Sequence, residues 1–185
     1  MSSSAERKTA IRAAARTLFA RRGYAATSMR AIAEAAGVSL GLAYNYFSGK
    51  EDLLRAVVED GIEQVRTTLD ELDGSASPDE RLRRFVHASL GAVRRHRAFW
   101  QVLYGLRQQP GAVEALRDDL DALHDAIHAR LRGLFAALGD DAPDVSARLL
   151  FAAIDGAGQH YVRAPDAYPL DAVANQIVNR FSPSG

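Results

Sequence analysis

The sequence predicts an all-α fold of about nine helices, with a three-helix N-terminal domain over residues 1–50 and a larger helical domain over residues 51–185. Three observations carry that prediction. Apolar residues recur at three- and four-residue spacing in nearly every segment, no segment alternates with the period of a strand, and capping residues, prolines and glycines fall where helices would end. With 48% hydrophobic residues, the 185-residue chain has enough apolar material for a substantial core.

Ser3 followed by Glu6 matches the capping box and opens the first helix. Residues 27–50 read as two short helices joined by a tight turn, a helix-turn-helix. Met29, Ile32, Ala33 and Ala36 form the buried face of its first helix, and small Ala33 sits where the second must approach. Gly37 breaks that helix, because glycine reaches positive φ without steric penalty, and Ser39 caps the next. Leu42, Ala43 and Phe47 then turn inward, leaving Leu40, Gly41, Tyr44 and Asn45 on an outward face that can enter a major groove.

Ser48 with Glu51 repeats the capping box before a fourth helix, about residues 51–72, whose apolar positions are Leu54, Val58, Gly61, Ile62, Val65 and Leu69. Ser77 and Glu80, with Pro78 at the first helical position, open the fifth. The sixth, residues 97–108, gathers Phe99, Trp100, Leu103 and Tyr104, the aromatic density of an apolar cavity wall with polar handles. Gln109, Pro110 and Gly111 end it. The seventh carries the clearest stripe: Leu116, Leu120, Leu123, Ile127, Leu131, Leu134 and Leu138. A break from Gly139 to Pro143 leads to the eighth, residues 143–163, where Leu149, Leu150, Ile154 and Tyr161 lie among the small residues Ala152, Gly156 and Gly158. Pro165 and Pro169 separate it from a ninth helix bearing Leu170, Val173, Ile177 and Phe181.

Net charge is zero but unevenly spread. Residues 1–55 hold nine lysines and arginines against four acids, an excess of five positive charges, and the remainder carries the matching negative excess. A positive head attracts a phosphate backbone and releases its counterions, whereas an acidic remainder is repelled. There is no cysteine, which excludes a disulfide framework, a cysteine-based zinc finger and a thiol nucleophile, and fits a reducing cytoplasmic compartment. Charged residues from Glu6 to Arg16 interrupt any signal-peptide core, and no apolar run approaches the roughly 18 residues a membrane span needs, so a soluble chain without a membrane partner is expected.

The first 55 or so residues resemble the DNA-binding domain of the tetracycline repressor (TetR) family. The resemblance rests on Phe19, Gly23 and Tyr24 at the close of the first helix, Thr27 and Ser28 opening the second, Ile32, Ala33, the run Ala36, Gly37, Val38 and Ser39, then Gly41, Tyr44, Tyr46, Phe47, Lys50, Glu51 and Leu53. Ala43 departs from it, since many relatives have leucine there. The resemblance implies a regulator that binds double-stranded DNA at a palindromic operator, commonly as a repressor, and a second domain that senses a small hydrophobic effector and forms a homodimer. It places the dimer in the last two helices, paired into a four-helix bundle, with no cofactor required.

Carried onto residues, the resemblance implies phosphate contacts from Thr27 and Ser28 at a helix start. Tyr44 and Tyr46 would donate phenolic hydrogen bonds to phosphates, and Lys50 would add a point charge. Ser39, Leu40, Gly41 and Asn45 would lie nearest the bases, with Asn45 suited to adenine and Leu40 to a thymine methyl. No arginine or lysine stands on this face for guanine, so specificity leans on DNA shape. Phe47 reads as core. The expected effector contacts are Phe99, Trp100, Leu103 and Tyr104, joined by Phe135, Phe151 and His160.

Two alternatives compete. His124, Asp125 and His128 reproduce the spacing of a zinc-protease helix with aspartate in place of the usual glutamate, which raises a metal-binding helical protein. Aspartate is one methylene short for the general base and no third ligand follows, so hydrolysis is not expected. No serine triad or phosphate-binding glycine loop appears, and an enzyme is not predicted. The other alternative is a helical adaptor that dimerises without binding DNA.

Overall fold

A computed structural model describes residues 3–107, 114 and 116–182, in which nine α-helices and no strand are found. They are α1 (Ser4–Arg22), α2 (Met29–Ala35), α3 (Leu40–Tyr46), α4 (Lys50–Leu69), α5 (Pro78–Arg95), α6 (Arg97–Leu106), α7 (Arg117–Ala137), α8 (Pro143–Arg163) and α9 (Leu170–Phe181), with a 3-10 turn at Asp70–Leu72 following α4. The break expected at Gln109, Pro110 and Gly111 lies outside the described residues, as does Gln108.

The chain divides into two compact units, one of residues 1–61 with 98–117 and the other of residues 62–97 with 118–185. In the first, α1 begins with the expected capping box. The Ser3 hydroxyl accepts from the Glu6 amide at 3.2 Å, and the Ser3 amide donates to the Glu6 carboxylate at 2.8 Å. Ile11, Ala15, Leu18 and Phe19 give α1 a buried stripe that meets α2 and α3. The start of α4 differs from its prediction by one residue. Asp52, not Glu51, accepts from both the amide and the hydroxyl of Ser48, at 2.8 and 3.2 Å, because the helix opens at Lys50 and puts position 52 over its first turn. In α6, Phe99, Val102 and Leu106 are buried at helical spacing.

The second unit has one core, drawn from the end of α4, the 3-10 turn, α5, α7, α8 and α9, with Leu82, Leu90, Leu131, Phe135 and Leu150 almost wholly enclosed. Ser77 caps α5 by accepting from the Glu80 amide at 3.3 Å, and Pro78 occupies its first turn, where no amide donor is missed. Ile127, Leu131 and Leu134 of the predicted α7 stripe are buried, while Leu123 and Leu138 pack at its margin. Arg94 donates to both carboxylate oxygens of Asp171 at 3.0 and 3.1 Å, tying α5 to α9 at the surface.

Candidate nucleic-acid interface

The turn between α2 and α3 is built by Gly37 at φ +68°. Its amide donates to the Glu34 carbonyl at 3.1 Å and the Val38 amide to the Ala33 carbonyl at 3.0 Å, the paired bonds that close a helix over a left-handed residue. Ser39 then accepts from the Leu42 amide at 3.2 Å. Ile32 and Ala33 of α2 and Ala43 of α3 are enclosed, and so is Phe47 just past α3. The opposite side of α3 is open: Ser39, Gly41, Tyr44 and Asn45 are exposed, Tyr44 at 49%, and Leu40 is half-buried. Leu42, expected inward, is also half-buried.

Flanking residues divide by what already holds them. Ser28 is exposed and caps α2 by accepting from the Ala31 amide at 3.2 Å. Thr27 corrects the sequence reading. It is only 2% exposed, its hydroxyl donates to the Gly23 carbonyl at 2.8 Å and the Leu18 carbonyl at 3.4 Å, and its amide donates to Tyr24. A buried hydroxyl must find partners inside the chain, so Thr27 closes the end of α1 and cannot reach a phosphate. Lys50 turns its ammonium to the α1–α2 loop, donating to the Tyr24 carbonyl at 3.0 Å and lying 4.4 Å from the centre of the Tyr24 ring. Burial, and after it the Glu51 charge, pushes the Tyr24 phenol above its ordinary pKa, which keeps it neutral.

Two residues of α1 escaped the sequence reading. The hydroxyls of Ser4 and Tyr46 share a hydrogen bond at 3.0 Å, and the Lys8 ammonium lies 5.7 Å from the centre of the Phe47 ring. Both join residues about forty apart in the chain, beyond any local pattern. They bring the first turns of α1 to the C-terminal end of α3.

The expected effector residues fall in both units. On α6, Phe99 and Trp100 meet edge to face at 5.4 Å, Tyr104 lies 5.6 Å from Trp100, and Leu103 is half-buried. Phe135 is a core residue of the second unit, 1% exposed and 5.9 Å from the Phe181 ring. Phe151 packs on the His124 ring at 4.7 Å, and His160 is exposed, stacked on Tyr168 at 5.8 Å. Phe135, Phe151 and His160 thus each pack against a different ring, Phe151 at the margin of the core that contains Phe135.

His124 and His128 do approach each other, but among the described residues no group of three potential ligands forms. Burial, then the His124 imidazole, lowers the His128 pKa, which favours the neutral form of that ring. No helix among the described residues is long and apolar enough to cross a membrane. On the second unit, α8 exposes Val145 and Leu149, the latter at 57%, beside an apolar groove lined by Ala153 of α8 and by Val173, Ile177 and Phe181 of α9.

Comparison with known proteins agrees with this geometry. Residues 11–57 match the family model of the bacterial regulatory proteins of the tetR family, and residues 78–181 match that of the BetI-type transcriptional repressor C-terminal region. The HTH-type transcriptional repressor KstR2 of Mycolicibacterium smegmatis is 35% identical over 101 residues, which are 54% of this chain and 49% of that protein. HbdR, an HTH-type transcriptional regulator of Aromatoleum, is 35% identical over 48% of this chain and 39% of its own. The chain therefore spans half or less of the length of these relatives. Among solved structures, a TetR-like regulator from Rhodococcus superposes with a TM-score of 0.82 at 27% identity, covering 98% of this chain and 96% of that one. AibR, solved with isovaleryl coenzyme A and operator DNA, superposes at 0.78 and 25% identity over 97% and 100%. These relatives are regulators, not enzymes, and the chain belongs to the TetR family of helix-turn-helix transcriptional regulators.

Proposed function

We propose that this regulator is a homodimeric repressor that binds a palindromic operator through α3 and leaves it when an amphipathic small molecule binds. The observation that carries the reading is the two-sidedness of α3: Ala43 is sealed against the head while Ser39, Gly41, Tyr44 and Asn45 stand open, on a segment with five excess positive charges. Asn45 is the candidate for an adenine edge, Leu40 for a thymine methyl, and Gly41 for close backbone approach. Ser39, Tyr44 and the exposed start of α2 at Ser28 are the phosphate candidates, with Tyr46 shared between Ser4 and a phosphate. Lys50 serves mainly by fixing the α1–α2 loop that carries Ser28.

The exposed Leu149 and the α8–α9 groove support pairing of those two helices with a second copy, since an apolar face of that kind is stable when covered. Repression follows the naming of KstR2 and of the BetI-type model. For the effector, the aromatic run on α6 favours a molecule with an apolar part, and AibR's complex with isovaleryl coenzyme A makes acyl-coenzyme A thioesters the first class to try.

Selection from random duplexes with the purified chain tests the DNA half. Enrichment of a palindrome with half-sites spaced by roughly one helical turn supports it, as does binding that weakens steeply with added salt. Sequences without two-fold symmetry, or affinity indifferent to salt, would overturn it. Titrating isovaleryl coenzyme A and longer acyl thioesters into the protein–operator complex tests the effector class, and release by none of them would exclude it.

A further inference from the structure

On α7, one turn apart, the Nε2 atoms of His124 and His128 lie 2.8 Å from each other. The rings are 4.6 Å apart and tilted by 35°. Both rest on Phe151 of α8, at 4.7 Å for His124 and 5.2 Å for His128, so an aromatic wall fixes the side on which the two nitrogens converge. An ion bound to two imidazoles at about 2.0–2.1 Å separates their nitrogens by about 2.9 Å when the angle at the metal is a right angle and by about 3.4 Å when it is tetrahedral. The observed 2.8 Å is the length of a hydrogen bond between the two rings, and it brings both nitrogens within reach of one ion.

We infer that His124 and His128 form a two-imidazole chelate for a divalent transition ion, at a site distinct from the DNA-reading face. In the metal-free pair one Nε2 carries the shared proton and the other presents its lone pair. Coordination needs both lone pairs, so the shared proton moves to the Nδ1 of its own ring and no net charge leaves the protein. Among the described residues no third His, Cys, Asp or Glu completes the set, so water fills the other positions. The His128 Nδ1 is buried without a hydrogen-bond partner, and the proton it must carry in the chelate finds no acceptor. The site is therefore an exchangeable one rather than a structural one.

The test is calorimetric titration of Ni2+, Cu2+ and Co2+ into chelator-treated full-length protein. One ion per chain is expected, in the affinity order Cu2+, Ni2+, Co2+. His124→Gln and His128→Gln should each weaken Ni2+ binding by roughly tenfold or more, since removing one of two direct ligands costs at least as much as removing a residue that merely supports a ligand. His87→Gln and His160→Gln should leave it unchanged. His124 is exposed, so its variant reports on binding without disturbing the core. The Cu2+ complex should also show electron paramagnetic resonance coupling to two imidazole nitrogens. Absence of saturable binding, unchanged Ni2+ affinity in His124→Gln, or loss of the site in His87→Gln would overturn the inference.

Discussion

The ring of Phe99 on α6 occupies the space over Gly61 on α4, so that a Cβ at position 61 would fall inside it. Ordinarily alanine stabilises a helix interior over glycine by about 1 kcal/mol. Here the added methyl must displace a buried ring, an overpacking cost of roughly 1–3 kcal/mol. Gly61→Ala should therefore lower the midpoint of thermal unfolding and alter the fluorescence of Trp100, which meets Phe99 edge to face. Gly133 on the exposed side of α7 has nothing near its missing Cβ, and Gly133→Ala should raise the midpoint. Both variants shifting upward, with Trp100 emission unchanged, would refute the close contact.

The residue before Gly61 ties α4 to α1. Arg12 Nε lies 2.8 Å from Asp60 Oδ2, with both side chains about a third exposed. A pair so open to solvent contributes on the order of 0.5–1 kcal/mol and is screened by salt. A double-mutant cycle with Arg12→Ala and Asp60→Asn should give a coupling of that size at low ionic strength, shrinking toward zero in molar salt. Arg12→Ala should cost somewhat more than Asp60→Asn, because the Arg12 stem also lines a groove with Thr9, Ala13 and Val57. A coupling that persists undiminished in high salt would contradict a half-exposed ion pair.

Thr27 and Asn45 separate stability from recognition. Thr27→Val removes the donor to two carbonyls at the end of α1 and should destabilise the protein by about 1–3 kcal/mol. Its effect on operator affinity should vanish under conditions where it remains folded. Asn45 is exposed, so Asn45→Ala should leave stability within about 0.5 kcal/mol while relaxing preference at one base position by about 1–3 kcal/mol. Tyr44→Phe should instead weaken all duplexes alike. Equal discrimination in wild type and Asn45→Ala, measured across single-base operator variants, would remove that residue from base reading.

What could be read from the sequence follows interaction range. Gly37, Ser39, Ser77 with Pro78, and the stripe through Ile127, Leu131 and Leu134 were legible because caps, left-handed glycines and helical periodicity act within a turn or two. The outward set of α3 followed from the same periodicity. Thr27 was misread because a helix-flanking hydroxyl has the same local pattern whether it faces a phosphate or the carbonyls of the preceding helix. Burial decided between them. Asp52 took the role expected of Glu51 through a one-residue shift in the helix start. Ser4 against Tyr46, and Phe99 over Gly61, depend on packing between distant segments and leave no mark in local spacing. The effector residues were hardest, since an aromatic stripe looks the same as core or as cavity wall, and Phe135 proved to be core.

Leu149 tests the pairing surface most directly. An isolated leucine at 57% exposure is unremarkable, but this one shares α8 with Val145, itself 55% exposed, and with Ala153 at the edge of the α8–α9 groove. If that face is covered by a second copy, Leu149→Glu places a charge in each half of a two-fold interface, so every dimer buries two unpaired charges. Analytical ultracentrifugation should then show the variant as monomer at concentrations where the wild type is dimeric. Its secondary structure should be retained, because the substituted side chain touches no core of its own chain. Operator affinity should fall steeply with dimer loss, while the weak, salt-sensitive attraction of one head for DNA survives. A Leu149→Glu protein that remains dimeric would move the interface to another face.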